Sequence, residues 1–419
     1  VTVAPNSSAP GVVIVGAGQA GVSTALRLRQ NGFERPVILL SGEDAVPYNR
    51  PPLSKKYLTG EIAREKLLLR PEDLYAEKGV DLRLGIEAAE IDRAAKQVRT
   101  ADGAAIAYDK LVLATGARPR LLPDALTRGF RNVYPFRTLA DADILSGEMR
   151  DGARMLVVGG GYIGLEMAAV AAKRGLKATV VEAAERVLQR VAAPETSDYF
   201  RELHRSNGVD VREGVGLAAL EGAGDRVERA VLSDGATVEA DVVVVGIGIL
   251  ANDGLAAAAG LAVDGGVVVD GHGATGDADI FAVGDCARFP YQGQMIRLES
   301  VQNATDLGDY VANRICGLAE APYAPMPWFW SDQYDVSLKI AGLNAGYDRT
   351  VPREGDRPGR YSVWYFRDGA FIAVDAMNDT KAYIQGKRWL ENGLSPNAEW
   401  IADAAMDLKE TDARLRSAG

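Results

Sequence analysis

The chain has 419 residues, 47% hydrophobic and 25% charged, the balance of a folded globular protein; at roughly 150 residues per domain it suits two or three domains. Its formal charge of −10 disfavours non-specific nucleic-acid binding, which runs on phosphate neutralisation, and no apolar run reaches the roughly 18 residues of a membrane helix. Only two cysteines (Cys286, Cys316) and two histidines (His204, His272) are present, which excludes a disulfide framework and a built-in zinc or iron–sulfur site; the expectation is a reducing, cytoplasmic compartment and redox chemistry carried by an organic cofactor.

In chain order, the first ten residues carry neither a basic n-region nor an apolar h-region and read as a loose start, not a signal peptide. Residues 12–15 form a β-branched run that leads into Gly16-Ala-Gly18-Gln-Ala-Gly21 and then a helical stretch with Ala25, Leu26 and Leu28. In such a strand–turn–helix unit the first glycine makes the tight turn and the second lets a pyrophosphate approach. The third lets the helix pack on the strand, and the helix N-terminus offers amides to the phosphates. Ser41 stands where the ribose-binding acid of such a unit is expected, so Glu43, two residues on, is the candidate. Residues 110–116 then read as a buried strand ending at Ala114, Thr115 and Gly116.

The same grammar returns 143 positions after the first: an apolar run at 155–158, then Gly159-Gly-Gly161-Tyr162-Ile163-Gly164 and a second helix. One such motif is weak evidence; two, each between a strand and a helix, predict two dinucleotides. The next strand ends at Glu182, eighteen residues after Gly164, where a carboxylate accepts hydrogen bonds from both ribose hydroxyls and repels a 2′-phosphate; no arginine follows at once, which favours NADH over NADPH. Further strands close on Gly246-Ile-Gly248 and on Gly284-Asp285, the aspartate being suited to accept from a ribityl hydroxyl. From Trp328 the composition changes to strand-like runs at 337–341, 361–366 and 370–374, with a hairpin turn at Arg367-Asp-Gly369 and helices near 379–391 and 397–405.

These motifs, with Arg50-Pro-Pro-Leu-Ser-Lys55 and Glu166, resemble the two-dinucleotide-binding flavoprotein reductases. With Glu299-Ser-Val301-Gln-Asn303 and Pro327-Trp-Phe-Trp330-Ser-Asp-Gln added, the chain from about residue 12 resembles the ferredoxin reductases of bacterial oxygenase systems. The resemblance implies FAD held by Gly16, Gly18, Gly21, Glu43, Arg50, Lys55, Ala114, Thr115, Gly116, Asp285, Val301 and Trp330. It implies NADH held by Gly159, Gly161, Tyr162, Ile163, Gly164, Glu182, Arg190, Gly246 and Gly248, and no metal. Three residues carry catalytic expectations: Lys55 beside the flavin N5, Glu166 near the nicotinamide carboxamide, and Trp330 over the pyrimidine side of the flavin. Disulfide reductases of the superfamily carry a cysteine pair after the first glycine turn and a histidine near the C-terminus; here Pro51, Pro52 and Leu53 occupy the first region and the histidine is missing, which excludes dithiol chemistry. No cysteine lies near position 55 to support a peroxide- or oxygen-reducing oxidase, and Cys286 is expected to pack against FAD.

The expected fold is α/β: two Rossmann-like dinucleotide-binding domains in a glutathione-reductase-like arrangement, plus a small α+β C-terminal domain. The FAD domain is expected over 1–117 and 248–326, the NADH domain over 118–247 and the last domain over 327–419. Electrons are expected to pass from NADH through FAD to a [2Fe–2S] ferredoxin that serves a cytochrome P450 or ring-hydroxylating dioxygenase. That partner binds transiently under electrostatic steering, with Arg64, Lys66, Arg314, Lys387 and Arg388 as candidate docking cations; neither nucleic acid nor membrane is expected as a partner. Two alternatives remain open: a reductase of rubredoxin or of a small molecule, and a non-enzymatic NADH-sensing flavoprotein of the apoptosis-inducing-factor type.

Overall fold

The structure is a computed structural model describing residues 10–418; apart from Pro10, the expectation for the first ten residues falls outside this range. The chain divides into two compact units. One comprises the residues up to Asn49, Ala63–Arg118 and Ile249–Pro325; the other comprises Arg50–Ile62, Pro119–Gly248 and Met326 onward.

In the first unit, Gly11–Val15 lies at the centre of a parallel sheet between Val37–Leu40 and Ala105–Leu113, with Val80–Arg83 beyond Val37–Leu40. All five residues of Gly11–Val15 are buried, the pattern of a strand covered on both faces. Gln97–Thr100 and Ala88–Asp92 extend the sheet antiparallel, and Ile280–Ala282 joins Ala105–Leu113 in parallel. The helix Gln19–Gln30 follows the first glycine turn and packs closely on Val301–Ile315. Gly308 permits that closeness, since a Cβ there would sit 2.7 Å from the Ala20 carbonyl oxygen, and the buried Thr24 hydroxyl lies 3.2 Å from the Gly308 carbonyl oxygen.

The second unit holds a five-stranded parallel sheet in the order Asp210–Glu213, Lys177–Glu182, Arg154–Val158, Val242–Val245, Val133–Pro135. Leu217–Ala223, Arg226–Leu232 and Thr237–Glu239 form a small antiparallel sheet beside its core. Trp328–Gln333, Val336–Gly342, Ala370–Met377, Tyr361–Arg367 and Arg349–Glu354 form a second five-stranded sheet, wholly antiparallel. Its Tyr361–Arg367 and Ala370–Met377 hairpin turns at Asp368 (φ 50°) and Gly369 (φ 76°), the two left-handed residues of a type I′ turn. Helix Thr380–Glu391 covers this sheet through Trp389, which meets Trp364 at 5.6 Å between ring centroids. Ala398–Ala402 follows, and a third helix, Leu408–Ala418, adds to the two expected. Two dinucleotide-type α/β sheets and an α+β C-terminal domain make up the fold class read from the sequence. Among the described residues no helix is long and apolar enough to cross a membrane.

Candidate active site

Both glycine turns have the shape the motif demands. At Gly16 (φ 109°) a Cβ would lie 2.2 Å from the Ala114 carbonyl oxygen, and at Gly21 one would lie 1.9 Å from the Gly16 oxygen. At Gly159 (φ 106°) and Gly164 the corresponding distances are 2.5 Å to the Gly246 oxygen and 2.0 Å to the Gly159 oxygen. The middle glycines differ: a Cβ at Gly18 or Gly161 meets nothing within 4 Å. First and third glycines are therefore fixed by the fold, while the middle ones leave open space before a helix N-terminus, as a pyrophosphate requires. The residues fit one dinucleotide phosphate at each turn.

In the first unit several residues expected to hold FAD are braced by neighbours, and two of these, Asn252 and Tyr48, the sequence did not single out. Asn252 clamps Thr115: the threonine hydroxyl donates to the Asn252 carbonyl oxygen at 2.6 Å, and the asparagine amide returns a bond to the Thr115 oxygen at 2.9 Å. The Asn252 backbone N–H also donates to the Gly116 oxygen at 2.9 Å. The Ser41 hydroxyl donates to the Glu43 carbonyl oxygen at 2.8 Å, and the Tyr48 hydroxyl donates to the Glu43 carboxylate at 2.5 Å. Asp285 lies in the turn Gly284–Cys286, where a Cβ at Gly284 would come within 2.8 Å of Ala20 on the helix after the first turn. Val301 opens the helix capped by Ser300, whose hydroxyl accepts from the Asn303 N–H at 3.1 Å. Cys286 is fully buried, and burial raises its thiol pKa.

In the second unit Glu182 ends its strand against the second glycine turn. One carboxylate oxygen accepts from the Gly160 N–H at 2.7 Å and the other from the Ala184 N–H at 2.8 Å. Gly160 is needed there because a Cβ would strike Val187 at 2.7 Å. Ile163 (44% exposed) and Arg190 are solvent-facing, while the Tyr162 ring packs on Phe329 at 5.0 Å. Burial raises the Tyr162 hydroxyl pKa well above that of a free tyrosine, and the oxygen has no partner among the described residues. Gly246 backs Gly159, and the Gly248 carbonyl oxygen accepts from the Arg120 N–H at 2.9 Å.

The tightest cluster joins Lys55 to Glu166. Arg50-Pro-Pro leads into an irregular helical turn, Leu53–Tyr57, in which Lys55 has non-helical angles. Lys55 Nζ lies 2.7 Å from Glu166 Oε2, and the Ser54 hydroxyl donates to that same oxygen at 2.6 Å. Glu166 Oε1 accepts from the Ser331 hydroxyl at 2.6 Å. The Glu166 side chain is 2% exposed and that of Lys55 16%. A carboxylate so deeply buried is tolerable only with such donors around it. Arg50 Nη1 donates to the Arg137 carbonyl oxygen at 3.1 Å.

Strand alternation explains the tryptophan segment. Phe329, Ser331 and Gln333 face one side of their strand, toward Tyr162, Glu166 and His204; Trp328 and Trp330 face the other, 5.6 Å apart. Trp330 thus sits on the opposite strand face from the serine that holds Glu166. Lys387 lies over the Trp328 ring at 5.5 Å, and Arg388 pairs with Asp412 at 3.5 Å. Arg64 and Lys66 share the turn Arg64–Leu67, and Arg314 ends Val301–Ile315, all in the first unit.

Residues 10–308 match the model of the pyridine nucleotide-disulphide oxidoreductase family, and 328–411 match that of the reductase C-terminal domain. The chain is similar to a ferredoxin–NAD(P)+ reductase of Sphingomonas sp., 44% identical over 91% of this chain and 92% of that one. It is 41% identical to putidaredoxin reductase of Pseudomonas putida over 97% of each. Among solved structures, the covalent putidaredoxin reductase–putidaredoxin complex superposes with a TM-score of 0.94 at 41% identity, covering 98% of this chain and 100% of the other.

Proposed function

The chain belongs to the pyridine nucleotide-disulphide oxidoreductase family and carries its reductase C-terminal domain, and from that premise we propose that it is an FAD-dependent NADH:ferredoxin reductase feeding a [2Fe–2S] ferredoxin of a cytochrome P450 or ring-hydroxylating dioxygenase. The observation that carries the reading is the pair of glycine turns, each with an open middle glycine, the second with a carboxylate pinned beside it.

When bound, FAD supplies the exchange between a two-electron hydride donor and a one-electron iron–sulfur acceptor. The chain's own residues bind and orient. Gly16, Gly18 and Gly21 receive the FAD pyrophosphate, with Glu43, Asp285, the 114–116 turn, Arg50, Val301 and Trp330 assigned to the rest of that cofactor. Gly159, Gly161 and Gly164 receive that of NADH, helped by Tyr162, Ile163, Arg190, Gly246 and Gly248. Glu182 selects an unphosphorylated ribose: its two oxygens already accept hydrogen bonds, and a 2′-phosphate would meet a negative charge. Lys55, held by Glu166, supplies a fixed positive charge for the negative charge of the reduced cofactor. Free cysteines fit a reducing, cytoplasmic setting.

Steady-state turnover tests this reading with NADH and NADPH against [2Fe–2S] ferredoxins, rubredoxin and small-molecule acceptors. The expected result is NADH-driven ferredoxin reduction with kcat/KM at least about tenfold above that for NADPH. Turnover confined to rubredoxin or to small acceptors would contradict the choice of partner.

A further inference from the structure

The Lys55–Glu166 pair is the end of a longer chain of buried groups. The Ser331 hydroxyl, which donates to Glu166, itself accepts from Gln333 Nε2 at 3.2 Å. With the Gln333 amide nitrogen so engaged, its carbonyl oxygen faces His204 Nε2 at 2.8 Å, which fixes that nitrogen as the protonated one. His204 Nδ1 is then an acceptor, and the Tyr334 hydroxyl lies 3.1 Å from it. Every link from Tyr334 through His204, Gln333 and Ser331 donates in one direction and ends on the Glu166 carboxylate. His204, Ser331 and Gln333 are 0%, 0% and 1% exposed.

The backbone supports the same assignment. Tyr334 stands in the hairpin turn after Trp328–Gln333 with a φ of 56°, a conformation a bulky residue rarely holds, and its ring meets His204 edge-on at 5.1 Å. Burial pushes the His204 imidazole down to about 4, so at neutral pH it is neutral, as the chain requires.

We propose that Ser331, Gln333 and His204 are positioning residues for the Glu166–Lys55 pair. Resting on the functional reading above, this makes the C-terminal hairpin part of the reaction apparatus: it fixes one Glu166 oxygen, leaving the other to hold Lys55. Aligned donors in a buried chain reinforce one another, and loss of Ser331 leaves a buried carboxylate oxygen unsatisfied and free to turn away from Lys55.

The test uses the FAD holoenzyme with S331A, S331T and Q333E, each checked for a cooperative melting transition above the assay temperature and for full FAD occupancy. S331A is expected to slow anaerobic flavin reduction at saturating NADH by about fivefold with NADH affinity within about twofold, and to shift the visible bands of bound FAD; S331T restores both. Q333E behaves as S331A, because a carboxylate at 333 takes the Ser331 proton away from Glu166. In 15N-histidine spectra, where only two imidazoles are present, His204 shows the neutral Nε2–H form. Equal slowing in S331A and S331T, wild-type rate and spectrum in S331A, or an Nδ1–H imidazole at His204 would overturn the proposal. A wild-type protein that NADH fails to bleach would instead contradict the functional reading, and the FAD bands and the imidazole spectra still decide this one.

Discussion

In the proposed function Glu182 and Lys55 carry different parts of the chemistry, and their variants are expected to separate. Glu182→Arg removes the acceptor of the ribose hydroxyls and adds a cation for a 2′-phosphate. The ratio of kcat/KM for NADH to that for NADPH is expected to fall by about tenfold or more, and an unchanged ratio would deny Glu182 its ribose role. Lys55→Met is expected to slow flavin reduction at saturating NADH by about tenfold to a hundredfold, read in a single turnover of the FAD-replete protein. Two buried ionisable groups bear on stability instead. His204, pushed from 6.5 to about 4 by burial, is neutral in the folded protein; as pH falls from 6.5 toward 4 the unfolded chain takes up that proton first, and stability is lost. Asp375 runs the other way. Burial pushes it from 3.8 up to about 6, against hydrogen bonds from Tyr365 and Thr196, so on acidification the folded protein takes up the proton first and stability is gained between pH 6 and 3.8. The two contributions have opposite signs over the same pH range. Asp375→Asn removes the gain alone, so its melting temperature is expected to drop more steeply than wild type between pH 6.5 and 4; parallel curves would show that Asp375 titrates normally.

The glycine turns are the elements most legible in the sequence, because their spacing is dictated by local geometry that a single strand–turn–helix unit contains. Even so, the three glycines of a turn have separate duties. Gly161→Ala places a methyl in open space, so folding should be unaffected while NADH affinity falls by about tenfold or more. Gly164→Ala places a methyl 2.0 Å from the Gly159 oxygen and should destabilise the protein by about 3 kcal/mol. Comparable melting temperatures for the two variants would contradict this division. What the sequence hides is long-range pairing. Ser331 meets Glu166 across 165 positions and His204 meets Gln333 across 129, with no local periodicity to announce either. Asn252, which clamps Thr115 from 137 positions away, was missed for the same reason. The signal for Ser331 was present only as alternation: three polar or aromatic residues at every second place of a tryptophan-rich strand. Leu408–Ala418 escaped because its sequence is largely polar and is held by side-chain bonds, such as Trp389 Nε1 to Asp412 at 2.9 Å, that depend on the fold.

On the scale of the molecule, the net charge of −10 sets a constraint on any acidic ferredoxin partner. On the proposed reading, encounter is expected to run through local cations, for which Lys387 and Arg388, on the helix beside Trp328, are candidates, together with Arg64, Lys66 and Arg314. Ferredoxin reduction is therefore expected to slow several-fold as ionic strength rises, while reduction of bound flavin by NADH changes little. Charge reversal at Lys387 should reproduce that loss at low salt. The proposed role of this chain is to move electrons from NADH through FAD to a one-electron protein acceptor. Anaerobic stopped-flow tests it most directly, mixing the purified yellow protein with NADH and then with a [2Fe–2S] ferredoxin. Rapid bleaching of the flavin followed by ferredoxin reduction is the expected result; bleaching with no transfer to any ferredoxin, or no bleaching at all, would rule that role out.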